Sequence, residues 1–319
     1  MRTRLTELLG IEVPIMLAGM GGVSYSALTA AVSRAGGYGC LGASTMTSSE
    51  LVDEIAAVRA ATQKPFGVDL LTAFPDSLDR NVKLLIEGGA SSLVAGLGIP
   101  HHVIETCHRH GVLVISLCGK VDHARRARDA GCDVVVAQGT EAGGHTGAVA
   151  TMPLVPLIVD AMDDAIPVVA AGGIFDGRGL AAALALGASG VWIGTRFIAT
   201  TEARAVRGFK ERLVESAEDS TVVTKAYTGK TMRVLRNSRT DRYEAQPELL
   251  KPFPEQLGVS LADGSFHLGG DELTTGVDPA EEGYPAGQSV GGISSLLGAE
   301  ELVASIVAQA EAVIARFHD

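Results

Sequence analysis

Eight short apolar runs, each followed closely by a helix-forming stretch, set the tightest limit on how this chain can fold. The runs occupy residues 14–22, 38–41, 65–71, 92–97, 112–117, 134–137, 167–171 and 190–194. Helical patterns lie between them at 24–35, 51–61, 78–87, 100–110, 123–130, 154–162 and 179–186. Continuous apolar runs of this kind are strands buried on both faces, as in parallel sheets covered by helices. The connections are long enough for right-handed helical crossovers, so the pattern predicts an α/β fold, a (β/α)8 TIM barrel. An open doubly wound sheet is the alternative, because periodicity does not show closure. Local punctuation agrees: Ser24 is placed to cap the first of these helices, Gly36-Gly37 to stop it, and Ser48-Ser49-Glu50 to open the next.

Beyond the eighth run the pattern changes. Residues 204–218 read as a charged helix, and residues 220–292 are polar and turn-rich, with Pro247, Pro252, Pro254, Pro279 and Pro285. A plain loop of that length is uncommon in a compact barrel, so the segment is expected to form a small helical subdomain or lid. A last helix covers 299–317. The expected division is a barrel over 1–219, completed by the C-terminal helix 298–319, with a lid or substrate subdomain over 220–297.

Composition narrows the function. The net charge of -11 argues against a nucleic-acid or anionic-membrane partner. No apolar run reaches membrane-spanning length, and the N-terminus lacks an export-type apolar segment, so a cytoplasmic protein is expected. Cys40, Cys107, Cys118 and Cys132 show no metal spacing and read as buried reduced thiols. His101, His102, His108 and His110 read as one solvated helix face, and no metal is expected.

Chemistry concentrates where strands end. The sixth strand empties into Gln138-Gly139-Thr140-Glu141-Ala142-Gly143-Gly144-His145-Thr146-Gly147, in which glycines allow close backbone approach to a ligand and His145 can serve as a base near neutral pH. Glu141 is expected to organise the loop by accepting backbone N–H bonds. Ala171-Gly172-Gly173-Ile174 ends the seventh strand and Trp192-Ile193-Gly194-Thr195 the eighth, the two positions where barrels commonly build a phosphate cradle. Met20, Asp69 and Gln138 would face the same mouth. Each also has an ordinary structural use, as core filler, helix cap and turn ligand; their shared location is the argument.

These residues resemble a family, the FMN-dependent nitronate monooxygenases, and the closely similar FMN enoyl-ACP reductases. The resemblance runs through Thr3 to Gly10, Pro14 to Met20, Pro65 to Leu70, Gln138 to Gly147, Pro167 to Leu186 and Gly194 to Phe197. It fades into 233–237 and Ala286-Gly287-Gln288. It implies that His145 is the active-site base or acid. FMN contacts would fall on Gly19, Met20, Gly21, Asp69, Gln138 and Gly143, and its phosphate on Gly173, Trp192, Ile193, Gly194 and Thr195. The implied activity is oxidation of small alkyl nitronates with O2; a homo-oligomer is compatible with it. One alternative is an NAD(P)H-dependent FMN reductase of enoyl thioesters or quinones, against which the absence of a Gly-x-Gly-x-x-Gly fingerprint speaks. Another is a non-catalytic flavin-binding protein. Two positions depart from the pattern: Asp69 stands where the family usually has asparagine, and Thr146 where arginine or isoleucine is frequent.

Overall fold

The computed structural model describes residues 1–72 and 75–317 of the chain. In order, its strands are β1 (Ile15–Leu17), β2 (Gly39–Gly42), β3 (Phe66–Leu71), β4 (Ser92–Gly96), β5 (Leu113–Cys118), β6 (Val134–Gln138), β7 (Gly144–His145), β8 (Val168–Ala171), β9 (Gly190–Ile193), β10 (Thr221–Thr224) and β11 (Met232–Leu235). Eight of these form one parallel sheet in the order β1-β9-β8-β6-β5-β4-β3-β2. A parallel bridge between Met16 and Tyr38 joins the ends, with Leu17 N donating to Tyr38 O and Tyr38 N to Ile15 O, both at 2.9 Å. The sheet is therefore a barrel, and the open-sheet alternative falls.

Alternation along each strand divides the core. Met16, Cys40, Val94, Ile115, Val134, Val136, Val169 and Trp192 fill the barrel, while Leu17, Leu41, Val68, Leu93, Val135 and Ile193 face the surrounding helices. Leu5 and Leu9 of the first helix, Arg4–Leu9, belong to the inner group and plug the bottom of the barrel. Burial of each such side chain stabilises the fold by about 1.5–3 kcal/mol. The C-terminal helix Ala299–Ala315 packs on helix Gly177–Ala185; residues 318 and 319 of the expected 298–319 helix lie outside the described residues. No helix among the described residues is long and apolar enough to cross a membrane. All four cysteines are free and buried.

Three local expectations are corrected. Ser24 does not cap a helix: its hydroxyl accepts from Met20 N at 2.7 Å and so fixes the turn after β1, and the helix Ser26–Arg34 starts after Tyr25. The next helix, Ser48–Ala61, is capped one residue earlier than expected, by Thr47 in a reciprocal capping box with Glu50. The stretch 204–218 is helical only over Phe209–Glu215. Its beginning is drawn to the β1 turn instead, where Arg204 N donates to Val23 O at 3.1 Å and the guanidinium covers the Tyr25 ring.

The polar region after the barrel is not simply helical either. It carries helices Ser238–Ala245 and Glu255–Ala262, but also β10 and β11, which recruit β7 into a three-stranded antiparallel sheet. Turn residues and prolines masked this signal, because both strands are only four residues long. Arg239, 1% exposed, holds the region together from inside: it donates to Asp263 and Ser260 at 2.9 Å and lies between the Tyr227 and Tyr243 rings.

Candidate active site

The His145 loop is tied at both ends. In β7, His145 pairs with Met232 and Gly144 with Arg233. Arg233, 7% exposed, donates from Nε to Thr140 O at 2.9 Å and from Nη1 to Thr221 Oγ1 at 3.1 Å. Glu141 organises the other side, its carboxylate accepting from Thr151 N at 2.9 Å and Thr151 Oγ1 at 2.8 Å. Gln138 Nε2 donates to His145 O at 3.2 Å, so its amide braces the loop rather than standing wholly free for a ligand. Gly143 admits the neighbouring chain: a Cβ there would lie 2.7 Å from Ala286 C and Gly287 N.

His145 is half-buried, with Nε2 3.2 Å from Thr228 Oγ1. Burial lowers its pKa below the usual histidine range, and the Lys230 charge adds to the effect. The ring is therefore neutral at pH 7 and able to accept a proton.

The turn after β1 meets the other strand ends. A Cβ on Gly19 would fall 2.2 Å from Asp69 Cβ, and one on Gly194 would fall 3.3 Å from Met20 Sδ. Gly19, Met20, Asp69 and Gly194 are thus gathered at the mouth. Asp69 is 8% exposed and has no ion-pair partner among the described residues. Burial pushes its carboxyl well above the usual carboxylate range, so the protein surroundings favour the uncharged form at this position.

Gly173, in left-handed backbone at φ 72°, turns the chain at the end of β8. The N–H groups of Gly173, Gly194 and Thr195 make no hydrogen bond to a protein acceptor among the described residues. Unpaired N–H groups at two adjacent strand ends fit an anionic group such as a phosphate. Thr195 Oγ1 is already engaged, accepting from Gly287 N at 2.9 Å. Three predicted residues point elsewhere. Trp192 packs inside the barrel, Ile193 faces the outer helices, and the open side of Gly21 is turned to Ser44, leaving only main-chain atoms of the last two for a ligand.

Sequence reasoning missed Thr228, Lys230 and Arg233 as parts of this site. Arg233 carried a signal in the short stretch 233–237; Thr228 and Lys230 reach the site only through pairing of β11 with β7, which no local pattern announces.

Barrel, glycine-lined mouth and neutral imidazole define an enzyme with its site at the carboxyl ends of the strands. The chain belongs to the nitronate monooxygenase family, whose profile matches residues 2–309. It is 44% identical over 246 residues to an octahydroindene-carboxyl-CoA dehydrogenase of Mycobacterium tuberculosis, covering 77% of this chain and 69% of the relative. It is 34% identical to a probable nitronate monooxygenase of Staphylococcus aureus, covering 86% and 90%. Among solved structures it is similar to FabK from Thermotoga maritima, with a TM-score of 0.89, 36% identity, and coverage of 100% of this chain and 99% of that one. The family and these relatives make the chain an oxidoreductase.

Proposed function

We propose that the chain holds FMN across the barrel mouth and oxidises alkyl nitronates with dioxygen. One observation carries the reading: a neutral, half-buried imidazole, His145, is held on a loop braced from both sides, at the rim that also carries the unpaired N–H groups of Gly173, Gly194 and Thr195. Those amides would receive the phosphate, with Gly19, Met20, Gln138 and Gly143 around the ring. Bound flavin would supply the electron-accepting and oxygen-reducing chemistry.

The chain's own residues supply the rest. His145 takes the α-proton of a neutral nitroalkane, or hydrogen-bonds an oxygen of a nitronate that arrives already ionised. Thr228 fixes the orientation of its ring. Burial favours the uncharged form of Asp69, which would add no negative charge beside a ring that gains electrons. Residues 220–297 act as the lid that excludes water from the mouth: Gly287 N reaches Thr195 and Gln288 N donates to Glu141 O at 2.9 Å.

The likeness to a carboxyl-CoA dehydrogenase and to FabK favours a second reading, NAD(P)H-linked chemistry on an acyl thioester, with His145 as proton donor. The two separate in one experiment. The yellow protein is mixed anaerobically with propionate 3-nitronate and, in parallel, with NADPH. Rapid bleaching by the nitronate alone supports the proposal; rapid bleaching by NADPH alone replaces it with the second reading.

A further inference from the structure

The chemistry proposed for the site leaves Lys230 without a role, although it stands beside the base. It lies in the turn joining β10 and β11, and that turn is pinned to His145 through Thr228. The Thr228 hydroxyl, 3.2 Å from His145 Nε2, also accepts from Lys230 N and faces Lys230 O, each at 3.2 Å. The side chain is held in place by Phe253, whose ring centroid is 4.2 Å from Nζ. No carboxylate forms an ion pair with Lys230 among the described residues.

The other charged groups around the loop are committed elsewhere. Arg233 is bound to Thr140 and Thr221, Glu141 to Thr151, and Asp69 on β3 is buried beside the Cys40 thiol of β2. The turn beside His145 therefore carries a half-buried lysine with no carboxylate paired to it among the described residues. A partly desolvated charge of that kind is stabilised by any anion that enters.

We infer that Lys230 is the anion receptor of this site, a specificity-determining residue that holds a small planar oxyanion next to His145. The inference rests on the proposed function for the identity of that oxyanion, a nitronate, and on the turn's geometry for its place. It also explains how a site with a neutral base can prefer a substrate that has already lost its proton.

Nitrate, planar and without an exchangeable proton, is the probe. The purified protein is titrated with nitrate while the His145 ring is followed by NMR, its signals assigned by their loss in His145→Asn. Nitrate should raise the His145 pKa in the unaltered protein, because it neutralises the neighbouring cation. Lys230→Met should raise that pKa without nitrate, abolish the nitrate response and weaken nitrate binding about 10- to 100-fold, the effect of losing one charge-assisted contact. Lys230→Arg should keep the response. Equal nitrate affinity in the unaltered protein and Lys230→Met, or a His145 titration indifferent to nitrate in the unaltered protein, overturns the inference. Nitrate binding through Lys230 in a protein that does not oxidise nitronates would retain the receptor and discard the proposed substrate.

Discussion

The two sides of the mouth are built by different means. The rim at β8 and β9 is main chain: short glycine-containing turns, each local in sequence, leave N–H groups without a protein acceptor among the described residues. The opposite side is made of side chains brought from far away, with Arg233 reaching Thr140 and Thr228 reaching His145. A main-chain rim offers the same N–H groups whatever the side chains, whereas a side-chain wall can be re-cut without touching the barrel. The cofactor is thus expected to be set by the first region and the substrate by the second.

The sharpest break in this contrast is at His145. His145→Asn should leave FMN binding intact while lowering turnover of neutral nitroalkanes by about 10² to 10⁴-fold, the usual contribution of one positioned acid or base. Steady-state assays with an FMN absorbance control check both halves. The mirror-image change is Gly173→Val, which forces a β-branched residue into left-handed backbone. FMN affinity should fall by about 10- to 100-fold from strain of the usual size, with the fold retained, as read by fluorescence titration and circular dichroism.

Smaller effects test how the two sides are joined. Arg233→Met removes the donor to Thr140 O and Thr221 Oγ1 and should cost about 1–3 kcal/mol, measured by chemical denaturation. The pH dependence of stability tests Asp69. Its folded-state pKa is raised by burial, so the native state keeps a proton that the unfolded chain releases above about pH 4. Stability is then lost as pH rises through that window, until the folded carboxyl also ionises. Asp69→Asn should remove the slope, gaining about 1.4 kcal/mol at neutral pH for each unit of the shift that lies below that pH.

The same contrast explains what could be read from the chain. The barrel strands were legible to within a few residues because each is an apolar run between turn residues, and Glu141 was legible as a loop organiser because its partner Thr151 is ten positions away. Ser24 was misread as a helix cap because a serine before a helix and a serine closing a turn on Met20 look alike in sequence. The sheet of β10, β11 and β7 was hidden for a stronger reason: β7 is two residues long and acquires its strand character only by pairing with β11. Lys230 follows from that pairing, so it too was invisible. Asp69 was visible as an oddity, but the upward shift of its carboxyl comes from burial, a property of the assembled mouth.

The central claim is that backbone amides at one rim grip FMN beneath His145, and titration of the purified chain with FMN, followed by visible absorbance, tests it most directly. The account predicts a yellow complex whose formation is weakened by Gly173→Val and unaffected by His145→Asn. A protein that takes up no FMN, or that binds it equally well with valine at position 173, would contradict it.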